Sequence, residues 1–231
     1  MSAILVTGAN RGLGLEFVRQ YASDGWGVLA CCRHPDQARE LKQLAGRHAN
    51  VSVHALDVAD HKQIDALAHS LHEVALDVLL NNAGMYGGAE EESFGTLKYP
   101  VWEHELRVNT LAPAKMAEAF ASHVARSDKR LIASISSLMG SMADNGSGGS
   151  YLYRSSKAAL NAVMVSLAHD LAPRKIGVLV LHPGWVKTDM GGPNAEITPE
   201  TSVRGMREVI EGFKLKSSGQ FIAYDGAQLP W

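Results

Sequence analysis

The chain has 231 residues, 46% apolar and 20% charged, ordinary values for a soluble globular protein. Its 22 basic and 24 acidic residues leave a formal net charge of −2, which gives nucleic acid or an anionic membrane nothing to hold. No apolar run reaches the roughly 18 residues of a membrane span, and the only two cysteines, Cys31 and Cys32, are adjacent and badly placed to bridge.

The first apolar run, AILVT (3–7), begins at Ala3 and leaves no room for a signal peptide, so a reduced, cytoplasmic protein is expected. It leads into TGANRGLGLEF, where Gly8, Gly12 and Gly14 mark a strand turning into a helix. Leu13, Phe17 and Tyr21 put an apolar stripe on that helix at i, i+4 and i+8. A glycine-rich turn lets the backbone approach a pyrophosphate, and the helix N-terminus adds free N–H groups and positive potential. The spacing is G-x3-G-x-G, not the G-x-G-x-x-G of the common dinucleotide fingerprint.

The second run, GVLACC (27–32), is followed directly by Arg33. An acid at this strand end would hold the ribose 2′-hydroxyl of NAD, whereas an arginine accommodates the 2′-phosphate of NADP. The nearest acid, Asp36, comes after a proline, and Arg11 in the glycine turn is a second cation. A guanidinium fork suits phosphate. NADP(H) is the expected cofactor.

Further runs follow at VSVHAL (51–56), DVLLN (77–81), RLIASIS (130–136), IGVLVLH (176–182) and QFIAY (220–224). Between them lie helical stripes, including Ile64, Leu67, Ala68 and Leu71, and then Ala159, Val163, Leu167 and Leu171. Glu90, Glu91 and Glu92 form an acidic run that reads as a solvated loop. Residues 191–205 carry three glycines and two prolines and read as a short polar lid over a modest pocket. Strand–helix alternation of this kind predicts an α/β chain: one Rossmann-fold domain over 1–231, doubly wound, with a seven-stranded parallel sheet and helices on both faces. The ten histidines are scattered and no metal site is expected.

Residues 150–172 read as a helix, so Tyr153 and Lys157 share a face at i, i+4, while Tyr151 faces elsewhere. A free phenol titrates near pH 10; a fixed ammonium beside it favours phenolate and brings it within reach of neutral pH. The 130–136 run ends at Ser136 and Ser137, on the sheet edge where ligands bind in open α/β folds. A serine there can orient a carbonyl oxygen while Tyr153 delivers a proton.

In this order and spacing, TGANRGLG, LDV (56–58), NNAG (81–84), VNTLAP (108–113), SISSLMG (134–140), YRSSK (153–157) and HPGWVKTDM (182–190) resemble the classical short-chain dehydrogenases/reductases over nearly the whole chain. Within that family, YLYRSSKAALN, PGWVKTDMGG and the closing YDGAQLPW look most like the C-factor and sniffer-like carbonyl reductases. The resemblance implies catalysis by Ser137 (the serine preceding x-x-G), Tyr153, Lys157 and Asn109. Asn109 would hold a water that links the lysine to solvent. It implies that Gly8, Asn10, Arg11, Gly12, Leu13 and Gly14 surround the phosphates, with Arg33 at the 2′-phosphate. Asp57 and Val58 would border the adenine, and Asn82, Ala83 and Gly84 the adenosine half. Tyr153 and Lys157 would also meet the nicotinamide ribose, Pro183, Gly184 and Val186 would line the nicotinamide, and Thr188 would bind its carboxamide or the phosphates.

The activity implied is pro-S hydride transfer to a small-molecule ketone, aldehyde or quinone. A C-factor-like signalling protein that binds dinucleotide, or an NADP-dependent alcohol dehydrogenase, is the alternative. Small residues at Ala158, Ala159, Ala162 and Ser166, and at Ala112, Ala114, Ala117, Ala119 and Ala121, allow close helix approach, and the resemblance implies that these two helices pair across a twofold axis into a homodimer, or doubled into a tetramer.

Overall fold

The computed structural model describes residues 1–87 and 93–231, so the acidic run Glu90–Glu92 lies outside the described residues. Seven strands form one all-parallel sheet: β1 (Ala3–Thr7), β2 (Gly27–Cys32), β3 (Val51–Ala55), β4 (Val78–Asn81), β5 (Leu131–Ile135), β6 (Gly177–His182) and β7 (Gln220–Ala223). Their order is β3-β2-β1-β4-β5-β6-β7. Seven α-helices connect and cover the described strands: α1 (Gly12–Ser23), α2 (Arg39–Arg47), α3 (His61–Ser70), α4 (Tyr99–Leu106), α5 (Ala112–Ala125), α6 (Tyr151–Leu171) and α7 (Pro199–Gly212). None is long and apolar enough to cross a membrane.

The near-continuous Val, Ile and Leu runs predict strands covered on both faces, and β1, β4, β5 and β6 are buried almost throughout. Alternation along β1 sends Leu5 into one apolar core and Ile4 and Val6 into the other. The first core holds Phe120, Met164 and Phe221; the second holds Phe17, Met206 and Ile210. β3 differs because it is an edge, and Ser52 and Ala55 face solvent. Strand order reverses between β1 and β4, which opens a crevice beyond their C-terminal ends.

Three expectations need correction. The stripe of α6 that meets the core is Leu160, Met164, Ala168 and Leu171, with Ser156 and Lys157 one turn earlier. The expected stripe borders it: Leu171 is shared, Val163 and Leu167 are half-buried and pack against the same core, and Ala159 is half-buried. The 191–205 lid is only half a loop. Thr198 caps a helix by accepting from Thr201 N–H at 3.3 Å, Pro199 occupies the first turn, and Ser202 and Val203 are buried. Finally, Ala112, Ala117 and Ala121 pack inside this chain, leaving Ala162 and Ser166 exposed on the α5/α6 surface.

Candidate active site

The crevice beyond β1 and β4 is a cleft of about 790 Å³. Its floor is built by Thr7, whose Oγ1 accepts from the N–H groups of Asn82 and Ala83 at 3.0 Å each. Asn82 Nδ2 donates back to Thr7 O at 2.8 Å and Gly8 O at 3.2 Å. These bonds tie the end of β1 to the end of β4. They leave α1 starting directly at the cleft, its first-turn N–H groups facing outward. Gly14 has no room for a side chain: a Cβ there would stand 2.2 Å from Gly8 O and 2.6 Å from Asn82 Nδ2. Glycine at 14 therefore lets α1 pack directly against the turn that ends β1.

Asn10, Arg11, Gly12 and Leu13 join Gly8 and Gly14 on this wall, and Arg33, Asp57 and Val58 continue it past β2 and β3. Arg33 is exposed, beside His34 and Gln37. Arg11 donates to Asp189 at 2.7 Å across the cleft mouth, in an exposed pair that costs little to break. Asp36 is absent from the wall, whereas Glu40, in the first turn of α2, borders it. Ala83, Gly84, Pro183 and Thr188 complete the far half. Gly184 and Val186 do not line it. Val186 is buried, and a Cβ on Gly184 would meet Ile197 Cδ1 at 2.7 Å, so both lie behind the wall.

Tyr153 and Lys157 face this cleft from α6. Tyr151, 39% exposed at the helix start, does not. Lys157 is 4% exposed, donates to Ile135 O at 3.0 Å, and its Nζ stands 5.7 Å from the Tyr153 ring centroid. Burial pushes its pKa down to about 8, opposed by the charge of Glu105. It therefore remains mostly an ammonium at neutral pH. A Cβ on Gly84 would lie 3.5 Å from Lys157 Nζ and 3.4 Å from Asn109 Oδ1, so the NNAG loop, the lysine and Asn109 meet at one point.

Asn109 sits in a π-helical stretch, Arg107–Leu111, between α4 and α5. Its side chain is a brace. Nδ2 donates to Met85 O at 2.9 Å, Ser156 Oγ at 3.0 Å and Glu105 Oε1 at 3.3 Å, while Oδ1 accepts from Met85 N–H at 2.9 Å. Two amide hydrogens already serve three acceptors, so the side chain has no donor to spare for a relay water.

Of the two serines at the end of β5, Ser136 borders the cleft and Ser137 does not. Ser136 is buried and donates to Asn161 Oδ1 at 2.7 Å. Ser137 is half-buried; its Oγ accepts from Met139 N–H at 3.2 Å, which leaves its proton for another acceptor. Gly140 allows the following 3₁₀ turn to lie on α6, since a Cβ there would reach Lys157 Cβ at 2.8 Å. Leu138 N–H donates to His182 Nδ1 at 3.2 Å, so β6 fixes the turn that carries Ser137. Trp185 donates to Gly191 O at 2.8 Å, a tie within the loop after β6.

His182 is a residue the spacing argument did not single out. Burial holds its pKa down at about 4. The unfolded chain takes up this proton below about pH 6.5, the folded chain only near pH 4, so stability is lost as pH falls between those values. We expect wild type to lose about 1–2 kcal/mol more than His182→Asn between pH 7 and pH 5, measured by urea unfolding. Parallel losses in the two proteins would show that His182 is not the group responsible.

Comparison with known proteins follows this geometry. The family model described as short chain dehydrogenase matches residues 2–198. C-signal of Myxococcus xanthus is 42% identical over 156 residues, spanning 68% of this chain and 93% of that protein. Among solved structures, carbonyl reductase Sniffer of D. melanogaster superposes with a TM-score of 0.91 at 36% identity, covering all of both chains. The NADPH-bound carbonyl reductase from chicken fatty liver gives 0.93 at 34%, covering 100% of this chain and 99% of that one.

Proposed function

We propose, for a chain that belongs to the short-chain dehydrogenase family and to its branch of carbonyl reductases and C-factor-like proteins, that it is an NADPH-dependent oxidoreductase reducing a ketone, aldehyde or quinone to the alcohol. The observation that carries this reading is the pairing of Tyr153 with a buried, still cationic Lys157 on the wall of the cleft that the glycine turn also borders. A protein that only binds dinucleotide has a use for the lysine but none for a phenol activated beside it.

The cleft fits NADPH. Gly14 brings the start of α1 close against the glycine turn, and the cations Arg11 and Arg33 border the same cleft, which supports a phosphate-bearing dinucleotide with Arg33 at its 2′-phosphate. When bound, NADPH supplies a hydride from its nicotinamide. Everything else falls to this chain. Ser137 donates to the substrate oxygen and fixes its position. Tyr153 gives its phenolic proton to that oxygen as negative charge develops. Lys157 stabilises the resulting phenolate and donates to the nicotinamide ribose. Asn109 keeps Met85 and Ser156 in place around them. A screen of aldehydes, ketones and quinones, read by NADPH consumption, tests the reading. No turnover of any of them, with NADPH tightly bound, would favour the second reading.

That second reading is a C-factor-like signalling protein for which dinucleotide binding suffices. The likeness to C-signal supports it.

Arg33 carries a prediction about cofactor choice. A guanidinium–phosphate bond contributes about 2 kcal/mol, so Arg33→Ala should weaken NADPH about thirtyfold and NADH little. Fluorescence titration of both cofactors measures it, and equal losses for the two would remove Arg33 from the 2′-phosphate.

We also propose a homodimer through α5 and α6. Ala162 and Ser166 present small side chains on the surface of α6, and Leu111, at the start of α5, is 50% exposed. Light scattering at micromolar concentration should give twice the chain mass, and Ala162→Arg should halve it. A monomer mass for wild type would refute the pairing.

A further inference from the structure

Tyr86 follows the NNAG loop and is not needed to hold the cofactor. Its neighbour Met85 is clamped at both N–H and C=O by the Asn109 side chain, so the backbone that presents Tyr86 is fixed. The half-buried Tyr86 ring packs edge-to-face on the ring of Tyr153, centroids 5.3 Å apart and planes at 83°. Lys157 Nζ stands over the same Tyr153 ring at 5.7 Å. The acid is thus flanked by an aromatic ring as well as by a cation. Further apolar side chains stand exposed in the segments that follow β5 and β6: Met142 at 75%, Trp185 at 51% and Met190 at 49%. Met190 lines the cleft itself, as does Met85 immediately before Tyr86, and the Tyr86 ring meets the cleft through Tyr153, on which it packs.

Aromatic pairs favour stacked or edge-on contact, and gain more from it than from buried area alone. A second ring entering beside Tyr153 meets one that is already oriented. A saturated ring of the same bulk meets the same wall without that gain.

We propose that Tyr86 is a specificity-determining residue, forming an aromatic wall beside Tyr153 that favours carbonyl compounds whose carbonyl is attached directly to an aromatic ring. This rests on the reductase reading given above. It assigns Tyr86 to substrate binding, with no part in hydride or proton transfer.

The test compares benzaldehyde with cyclohexanecarbaldehyde, which is similar in size but not aromatic. Wild type should prefer benzaldehyde in KM. Tyr86→Leu should raise the benzaldehyde KM about fivefold or more and leave that of cyclohexanecarbaldehyde within about twofold. Tyr86→Phe should follow wild type on both, and NADPH affinity should be common to all three proteins. A parallel arm needs no turnover: calorimetric titration of benzyl alcohol and cyclohexylmethanol into the NADPH-loaded proteins should show the same selective loss. If wild type reduces neither aldehyde, the titration alone decides on Tyr86, and the wider screen of ketones and quinones decides on the reductase reading. Equal losses for the aromatic and saturated members overturn the proposal. So does a wild type with no aromatic preference in either measurement. A fall in kcat common to both aldehydes, with KM unmoved, would make Tyr86 a prop for Tyr153 and overturn it as well.

Discussion

Tyr153→Phe is expected to lose about a thousandfold in kcat while binding NADPH as wild type does. The substitution removes one oxygen and leaves the ring that packs on Tyr86 and lies under Lys157. What disappears is the proton donor. General acid catalysis by a placed side chain contributes roughly 10²–10⁴-fold, and no nearby group replaces this one easily. Ser137 has a proton, but spends it on orienting the carbonyl oxygen. Lys157 has protons, but its Nζ is buried and bonded to Ile135 O. Tyr151→Phe, on the exposed side of the same helix, is the control and should retain nearly full activity. Single-turnover measurements of NADPH consumption separate chemistry from product release. A Tyr153→Phe protein that keeps most of its activity would mean that another group protonates the alkoxide.

The architecture was legible because its signals are strong and redundant. Seven apolar runs alternate with helical stripes, and each run became a strand with ends shifted by at most one residue. The pairing of Tyr153 with Lys157 was legible for a similar reason, since four-residue spacing on a helix fixes relative direction. The rotation of that helix about its axis was not. Both Ala159–Leu167 and Leu160–Ala168 make acceptable apolar stripes, and only tertiary packing chose the second. The first turn of α7 carried a readable signal, a threonine followed by proline at the first helical position, which the glycines before it obscured.

The support around the site was the least legible part. Glu105, 0% exposed and bonded to Asn109, stands one helical turn before it, but as one of two glutamates in EHELRVN it looks like any solvated charge. His182 meets Leu138 across 44 residues of chain, and Thr7 meets Asn82 across 75. Tyr86 touches Tyr153 from a different segment altogether. Contacts of this kind are made by the fold, and no local spacing announces them.

Lys157→Met should separate stability from activity. The buried ammonium is costly: its folded pKa of about 8 lies well below the ordinary lysine value of 10.5. Between those values the unfolded chain binds a proton that the folded chain does not, so wild-type stability rises as pH increases from about 8 to 10.5. Below pH 8 the full cost is present, at most about 3 kcal/mol. Methionine fills similar space without the charge but gives up the bond to Ile135 O. The variant should therefore unfold at an equal or higher urea concentration than wild type at pH 7, and the difference should shrink above pH 8. Its chemistry should suffer as much as that of Tyr153→Phe, because the phenolate loses its cation. Unlike that variant, it should also bind NADPH more weakly, about tenfold or more, through loss of the ribose contact. The two losses together identify a lysine that serves both tyrosine and cofactor. A Lys157→Met protein that binds NADPH normally would confine the lysine to tuning Tyr153. One that is less stable at every pH would show that the ammonium, despite its burial, holds the fold together through Ile135.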